Sequence, residues 1–92
     1  MKIAGQTALI TGASRGIGQA IALALAQQGI KRLLIVARNR QKLAEVAAQL
    51  QAFDVEVITL VIDLTQSISI NIALAQAWRT YGPIIIIPHF IL

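Results

Sequence analysis

Apolar residues fall into two rhythms along this chain, and the alternation between them predicts its elements. Ala8, Leu9 and Ile10 form a short continuous run, Leu33 to Val36 form another, and Val55, Val57, Ile58, Leu60, Val61 and Ile62 form one that ends at Asp63. Short apolar runs of this kind are the pattern of parallel strands buried on both faces. Between the first two runs, Ile17, Ala20, Ile21, Ala24 and Leu25 recur at helical spacing, predicting a helix from Ile17 to about Gln28 that Gly29 stops with a left-handed cap. Leu43, Val46, Ala47 and Leu50 share one face of a second helix, Gln41 to about Ala52, with Asn39 as its cap and Lys42, Glu45 and Gln49 on the far side.

The segment from Ser67 to Tyr81 carries both rhythms. Ile68, Ile70 and Ile72 alternate as in a strand, while Ile68, Ile72, Ala75 and Trp78, with Leu74 and Ala77, fit a helix. A helix is expected, because the segment is too long for one strand, offers Ser67 as a cap and must cross over to a parallel neighbour. Gly82-Pro83 ends it, and Ile84 to Ile87 supply a fourth strand. Strands alternating with helices predict an α/β fold, a partial doubly wound parallel sheet of about four strands in the order 3-2-1-4. Right-handed crossovers place the first two helices on one face and the third on the other. That third helix is too little cover for its face. The strand Ile84 to Ile87 is left as an uncharged apolar edge, expected to support non-specific self-association.

Composition narrows the classes. The 92 residues are expected to make a single domain, residues 1–92, with 85–92 as an off-pattern tail. At 57% hydrophobic and 13% charged residues, with a mean hydropathy of +0.71, the chain is far from a disordered composition. Its longest apolar run is much shorter than the ~18 residues of a spanning helix, so no membrane partner is expected. Gly5, Gln6 and Thr7 interrupt the apolar stretch that a secretory signal would need after Lys2, and a cytoplasmic location is expected. The absence of cysteine and the single His89 argue against disulfides, thiolate chemistry and metal catalysis. The net charge is +4, and Lys31, Arg32, Arg38, Arg40 and Lys42 supply five of the eight basic side chains from one segment. With only 4% aromatic residues and no recognition-helix pattern, nucleic acid is a poor partner for that segment; a phosphorylated small molecule suits it better.

The chemistry concentrates between the first strand and the first helix, in Thr11-Gly12-Ala13-Ser14-Arg15-Gly16-Ile17-Gly18. Gly12 allows a tight turn, Gly16 lets backbone N–H groups approach a pyrophosphate, and Gly18 lets the helix pack closely on the strand. The anion would sit on the helix N-terminus, where unpaired N–H groups and the macrodipole favour negative charge. The spacing differs from G-x-G-x-x-G, and no Lys-Ser or Lys-Thr follows to make a nucleoside-triphosphate loop. The string resembles the Thr-Gly-x-x-x-Gly-Ile-Gly signature of the short-chain dehydrogenase/reductases, and the resemblance runs from about Gln6 to about Ile84. It implies an NAD(P)-binding Rossmann fold in an oxidoreductase that moves a hydride between a nicotinamide cofactor and a carbonyl or alcohol.

About 20 residues beyond a glycine turn, an acid selects NAD and an arginine accommodates the 2′-phosphate of NADP. Ala37 and Arg38 stand there, followed by Asn39, so the cofactor expected is NADP(H), with Arg15 as a second cation. In the resembled family, basic residues at these two positions go with NADP. Arg38 as a merely solvated residue is the plainer alternative. Ser14 is placed to donate to a phosphate or to cap the helix, and Ile17 belongs to the same turn. In similar proteins an acid at Asp63 accepts from the adenine amino group, with Leu64 beside the ring; a turn-forming Asp63 partnered by Thr65 is the alternative. Lys31 and Arg32 fall at the opposite end of the sheet and are assigned to solvent.

The resemblance breaks after Ile84. The family continues with an acidic residue, an apolar strand and Asn-Asn-Ala-Gly, where this chain has Ile85, Ile86, Ile87, Pro88 and His89. The family's catalytic Ser, Tyr and Lys have no counterparts. Tyr81 is the only tyrosine and Ile85 stands four residues later, so Tyr81 is assigned to helix-end packing, and no orienting partner gives His89 a catalytic role. The chain is expected to be a truncated, amino-terminal NADP-binding portion, inactive alone. A stand-alone non-catalytic dinucleotide-binding or interaction module is the alternative.

Overall fold

The computed structural model describes residues 3–12, 16–63, 65 and 67–87. Its elements are β1 (Thr7–Thr11), α1 (Gly16–Gln27), β2 (Arg32–Ala37), α2 (Arg40–Leu50), β3 (Glu56–Val61), α3 (Ser67–Tyr81) and β4 (Ile85–Ile87). All strand pairs are parallel and the order is β3-β2-β1-β4, as the alternation of runs predicts. The unbroken apolar runs take the central places: every residue of β1 is buried, as is β2 from Leu33 to Ala37. β3, whose polar positions are Glu56 and Thr59, lies at an edge with one side of its backbone unpaired in the sheet.

Because side chains alternate across a strand, the sheet builds a separate core on each face. On one face Ala8, Ile10, Leu33, Ile35 and Ala37 pack with Ala22 and Ala26 of α1 and with Leu43, Val46 and Leu50 of α2. On the other, Leu9, Leu34 and Val36 pack with Ala77 of α3 and with Ile84. Two helices therefore cover the first face and one covers the second. Removing a side chain such as Leu34, fully buried between sheet and helix, belongs to the substitutions that cost about 2–5 kcal/mol.

The helix boundaries follow local signals. Gly29 adopts φ +85 and closes α1, while the Gly82 N–H, from a residue at φ +78, donates to the Trp78 carbonyl at 2.8 Å and closes α3. Asn39 caps α2: its Oδ1 accepts from the Lys42 N–H at 3.0 Å. α3 spans Ser67–Tyr81, the bounds that its length and the crossover require.

The buried row of α1 differs from the expected one. Gly18, Ala22 and Ala26 face the sheet, Ile21 and Leu25 flank them half-buried, and Ile17, Ala20 and Ala24 point away. α1 is apolar nearly all round, so periodicity alone does not select its inner face. Nor does size, because Gly16, Ala20 and Ala24 make an equally small row that is exposed; the row that faces the sheet lets the helix lie close to the strands, in keeping with the role expected of Gly18.

Cover on the α3 face is thin. Ile68, Ile72 and Trp78 remain 74%, 54% and 51% exposed. A groove of about 180 Å³ runs between Leu34, Ile58 and Leu60 on the sheet and Ala73, Ala77 and Tyr81 on the helix. Among the described residues, no helix is long and apolar enough to cross a membrane.

Candidate functional site

In a parallel sheet all strands deliver their following loops to the same edge. Register fixes how closely: Thr11 pairs with Val36, Val36 with Leu60, and Ala37 with Val61. The Ile62 N–H donates to the Ala37 carbonyl at 3.0 Å, extending the pairing one step beyond β3. Gly12, Arg38 and Asp63 thus leave three adjacent strands side by side. With neighbouring strands about 4.8 Å apart, the three exits lie within roughly 10 Å across the sheet.

The first exit is the glycine turn. Gly12 adopts φ +67 and Gly16 φ +61, backbone that L side chains rarely take. A Cβ added to Gly16 would meet nothing within 4 Å, so the left-handed conformation, and not crowding, calls for glycine there. Gly16 begins α1, whose first turn holds no acidic side chain, and Ile17 stands 63% exposed on that turn. This arrangement fits an anionic group: a helix N-terminus, whose first N–H groups lack intrahelical partners, with room beside Gly16 and no acidic side chain in the first turn. Ser14 and Arg15 lie outside the described residues, as does Leu64.

The second exit carries the charge. Arg38 is exposed at the end of β2 and makes no ion pair among the described residues. Asn39 follows, its side-chain oxygen committed to the α2 cap. Arg40 and Lys42 occupy the first turn of α2, which has no acidic residue, although cations are disfavoured at a helix N-terminus.

The third exit presents Asp63, half-buried. Thr65 donates to Asp63 Oδ1 twice, from its N–H at 3.0 Å and from its hydroxyl at 2.8 Å. These bonds, the backbone one foremost, hold the Asp63 carboxyl below its ordinary pKa against an opposing effect of burial, with a smaller lowering from the field of Arg38. Both turn bonds use one oxygen. The turn-forming alternative read from Asp63 and Thr65 is therefore realised, and among the described residues no donor bonds to Oδ2.

The opposite edge corrects one expectation. Arg32 is not a solvated cation: its Nε donates to Glu56 Oε2 at 2.6 Å, its Nη1 donates to Thr7 Oγ1 at 3.3 Å, and its guanidinium lies 4.6 Å from the centre of the Tyr81 ring. Thr7, Arg32 and Glu56 are paired across β1, β2 and β3, so strand register brings them together. Sequence reasoning missed this because Glu56 lies 24 residues away and becomes a neighbour only through pairing. Lys31 is exposed as expected. Tyr81 packs at the helix end, as expected, and lies at the edge away from the glycine turn.

Residues 6–89 match the family model of the short chain dehydrogenases. The chain belongs to this family. It is 33% identical over 81 residues to versicolorin reductase 1 of Aspergillus parasiticus, covering 88% of this chain and 31% of that protein. Among solved structures, a metagenomic short-chain oxidoreductase in complex with NADP superposes with a TM-score of 0.84 at 32% identity, covering 94% of this chain and 39% of that one. An NAD⁺-bound xylitol dehydrogenase superposes with a TM-score of 0.82 at 31% identity, covering 91% of this chain and 32% of that one. The short-chain dehydrogenase chain therefore spans about a third of the length of these relatives. Both cofactors occur on this fold, so the choice between them rests on side chains.

Proposed function

We propose that this short-chain dehydrogenase chain binds the adenosine half of NADP(H). The observation that carries the reading is the side-by-side exit of Gly12, Arg38 and Asp63 at one sheet edge. In this reading the pyrophosphate lies on the N-terminus of α1 against Gly12, Gly16 and Ile17, with Gly18 keeping the helix close to the sheet. Ser14 donates to a phosphate oxygen and Arg15 adds a cation. Arg38 takes the 2′-phosphate of the ribose beside Asn39, and Asp63 accepts from the adenine amino group with Leu64 along the ring. The order of the exits, β1 then β2 then β3, matches the order of pyrophosphate, ribose and base along the cofactor. Exposed Arg38, and cations where the α2 dipole disfavours them, support NADP(H) over NAD(H).

When bound to a whole family member, the cofactor supplies hydride for a carbonyl or accepts it from an alcohol. The residues of this chain bind and orient it. Tyr81 is not proposed as the proton donor, because it is stacked with Arg32 at the other edge. A cytoplasmic setting belongs to the same proposal.

Adenosine 2′,5′-bisphosphate contains the groups assigned to this chain and lacks the nicotinamide. Calorimetric titration of the 92-residue chain is expected to show it binding nearly as tightly as NADPH, with both tighter than NADH. An NADPH affinity that depends mainly on the nicotinamide half, or NADH binding as tightly as NADPH, would refute the reading.

A further inference from the structure

The turn after β3 does more than reverse the chain. We infer that Thr65 is a positioning residue that aims the Asp63 carboxylate, and so sets the preference of the site for a base bearing an amino donor. The inference rests on the adenine role proposed for Asp63.

Two donors of Thr65, the N–H at 3.0 Å and the hydroxyl at 2.8 Å, converge on Asp63 Oδ1. A carboxylate held by one hydrogen bond still turns about its terminal torsion, which has broad minima. Two bonds from one residue to the same oxygen restrict that rotation and direct the lone pairs of Oδ2 elsewhere. Thr65 itself is exposed, so its hydroxyl is not held in place by packing. Arg38 is the charged group whose field reaches Asp63 from the neighbouring strand, and it favours the ionised, acceptor-only carboxylate. An acceptor-only group with one oxygen occupied and the other oriented suits a donor such as the 6-amino group of adenine. It opposes the 6-oxo group of hypoxanthine, which presents lone pairs at that position.

The test compares NADPH with its hypoxanthine analogue on the 92-residue chain, and the quantity read is the ratio of the two affinities. Hydrogen bonds to charged groups support a preference for NADPH of roughly tenfold or more in the unmodified chain. Asp63→Ala is expected to bring the ratio near unity. Thr65→Val keeps the shape and the backbone bond but removes the hydroxyl bond, and should lower the ratio by about threefold or more. Thr65→Ser keeps the hydroxyl and should restore the ratio. A merely structural role for Thr65 would weaken both ligands equally and leave the ratio alone, and because both ligands are measured on one preparation, partial unfolding cancels. A ratio that collapses in Asp63→Ala but is unchanged in Thr65→Val overturns the positioning role while sparing the adenine role. A ratio that survives Asp63→Ala, or an unmodified chain that binds neither ligand, overturns both.

Discussion

Arg32 and Arg38 stand at the two ends of β2, and their surroundings are opposite. At the beginning of the strand, the Arg32 side chain is only 17% exposed, with Glu56, Thr7 and the Tyr81 ring around it, so its charge, donors and planar face are all engaged within the fold. At the end of the strand, Arg38 is exposed, pairs with no acid among the described residues and stands beside a helix N-terminus that carries two more cations. One edge of the sheet is closed by its own side chains. The other collects positive charge, open glycine backbone and an oriented carboxylate. Identical side chains at the two ends of β2 thus stand in opposite settings: Arg32 joins elements together, while Arg38 is exposed and makes no ion pair among the described residues.

The largest expected effect on stability of breaking this contrast lies at the closed edge. Arg32→Ala removes an ion pair with a partner that is 54% exposed, a stacking contact and the packing of the arginine stem. After allowing for solvent screening of the pair, the sum is about 1–2 kcal/mol. Urea denaturation is expected to show a lower midpoint with unchanged slope. Arg38→Ala in the same assay should fall within the roughly ±0.5 kcal/mol of ordinary surface substitutions. Equal losses from the two variants would dissolve the distinction between the edges.

A smaller effect sharpens the open edge. Asp63 has its folded-state pKa depressed, so its contribution to stability is present above the unfolded carboxylate value and is lost as pH falls through the lower folded value. Carboxyl-detected NMR titration should place Asp63 below the usual carboxylate midpoint, and Thr65→Val should move it upward. An Asp63 midpoint at or above the usual value would contradict the orientation described for this turn.

Much of this architecture is legible in the sequence, for reasons that differ by element. The runs of β1 and β2 are readable because strands buried on both faces need no polar alternation, and the α3 bounds follow from crossover length and Gly82-Pro83. The strand order follows from right-handed crossovers once the elements are placed. The inner face of α1 is not readable, because Gly16, Ala20 and Ala24 form a row as small and apolar as Gly18, Ala22 and Ala26, and only the seating of the helix on the sheet distinguishes the two. The Arg32 cluster is hidden because it depends on register between β2 and β3. At the site, Gly12, Gly16 and Asn39 are legible from local conformation, which a short motif encodes. The second hydrogen bond of Thr65 to Asp63 is a matter of side-chain rotamer, which the residue pair allows without specifying.

The contrast between the two arginines comes down to one measurement. NADPH and NADH are titrated calorimetrically into the unmodified chain and into Arg38→Ala. Charge-assisted hydrogen bonds to phosphate contribute ~1.5–3 kcal/mol each, so NADPH affinity should fall roughly tenfold or more while NADH affinity stays level. An equal loss for both cofactors, or no loss for either, would contradict the assignment of Arg38 to the 2′-phosphate.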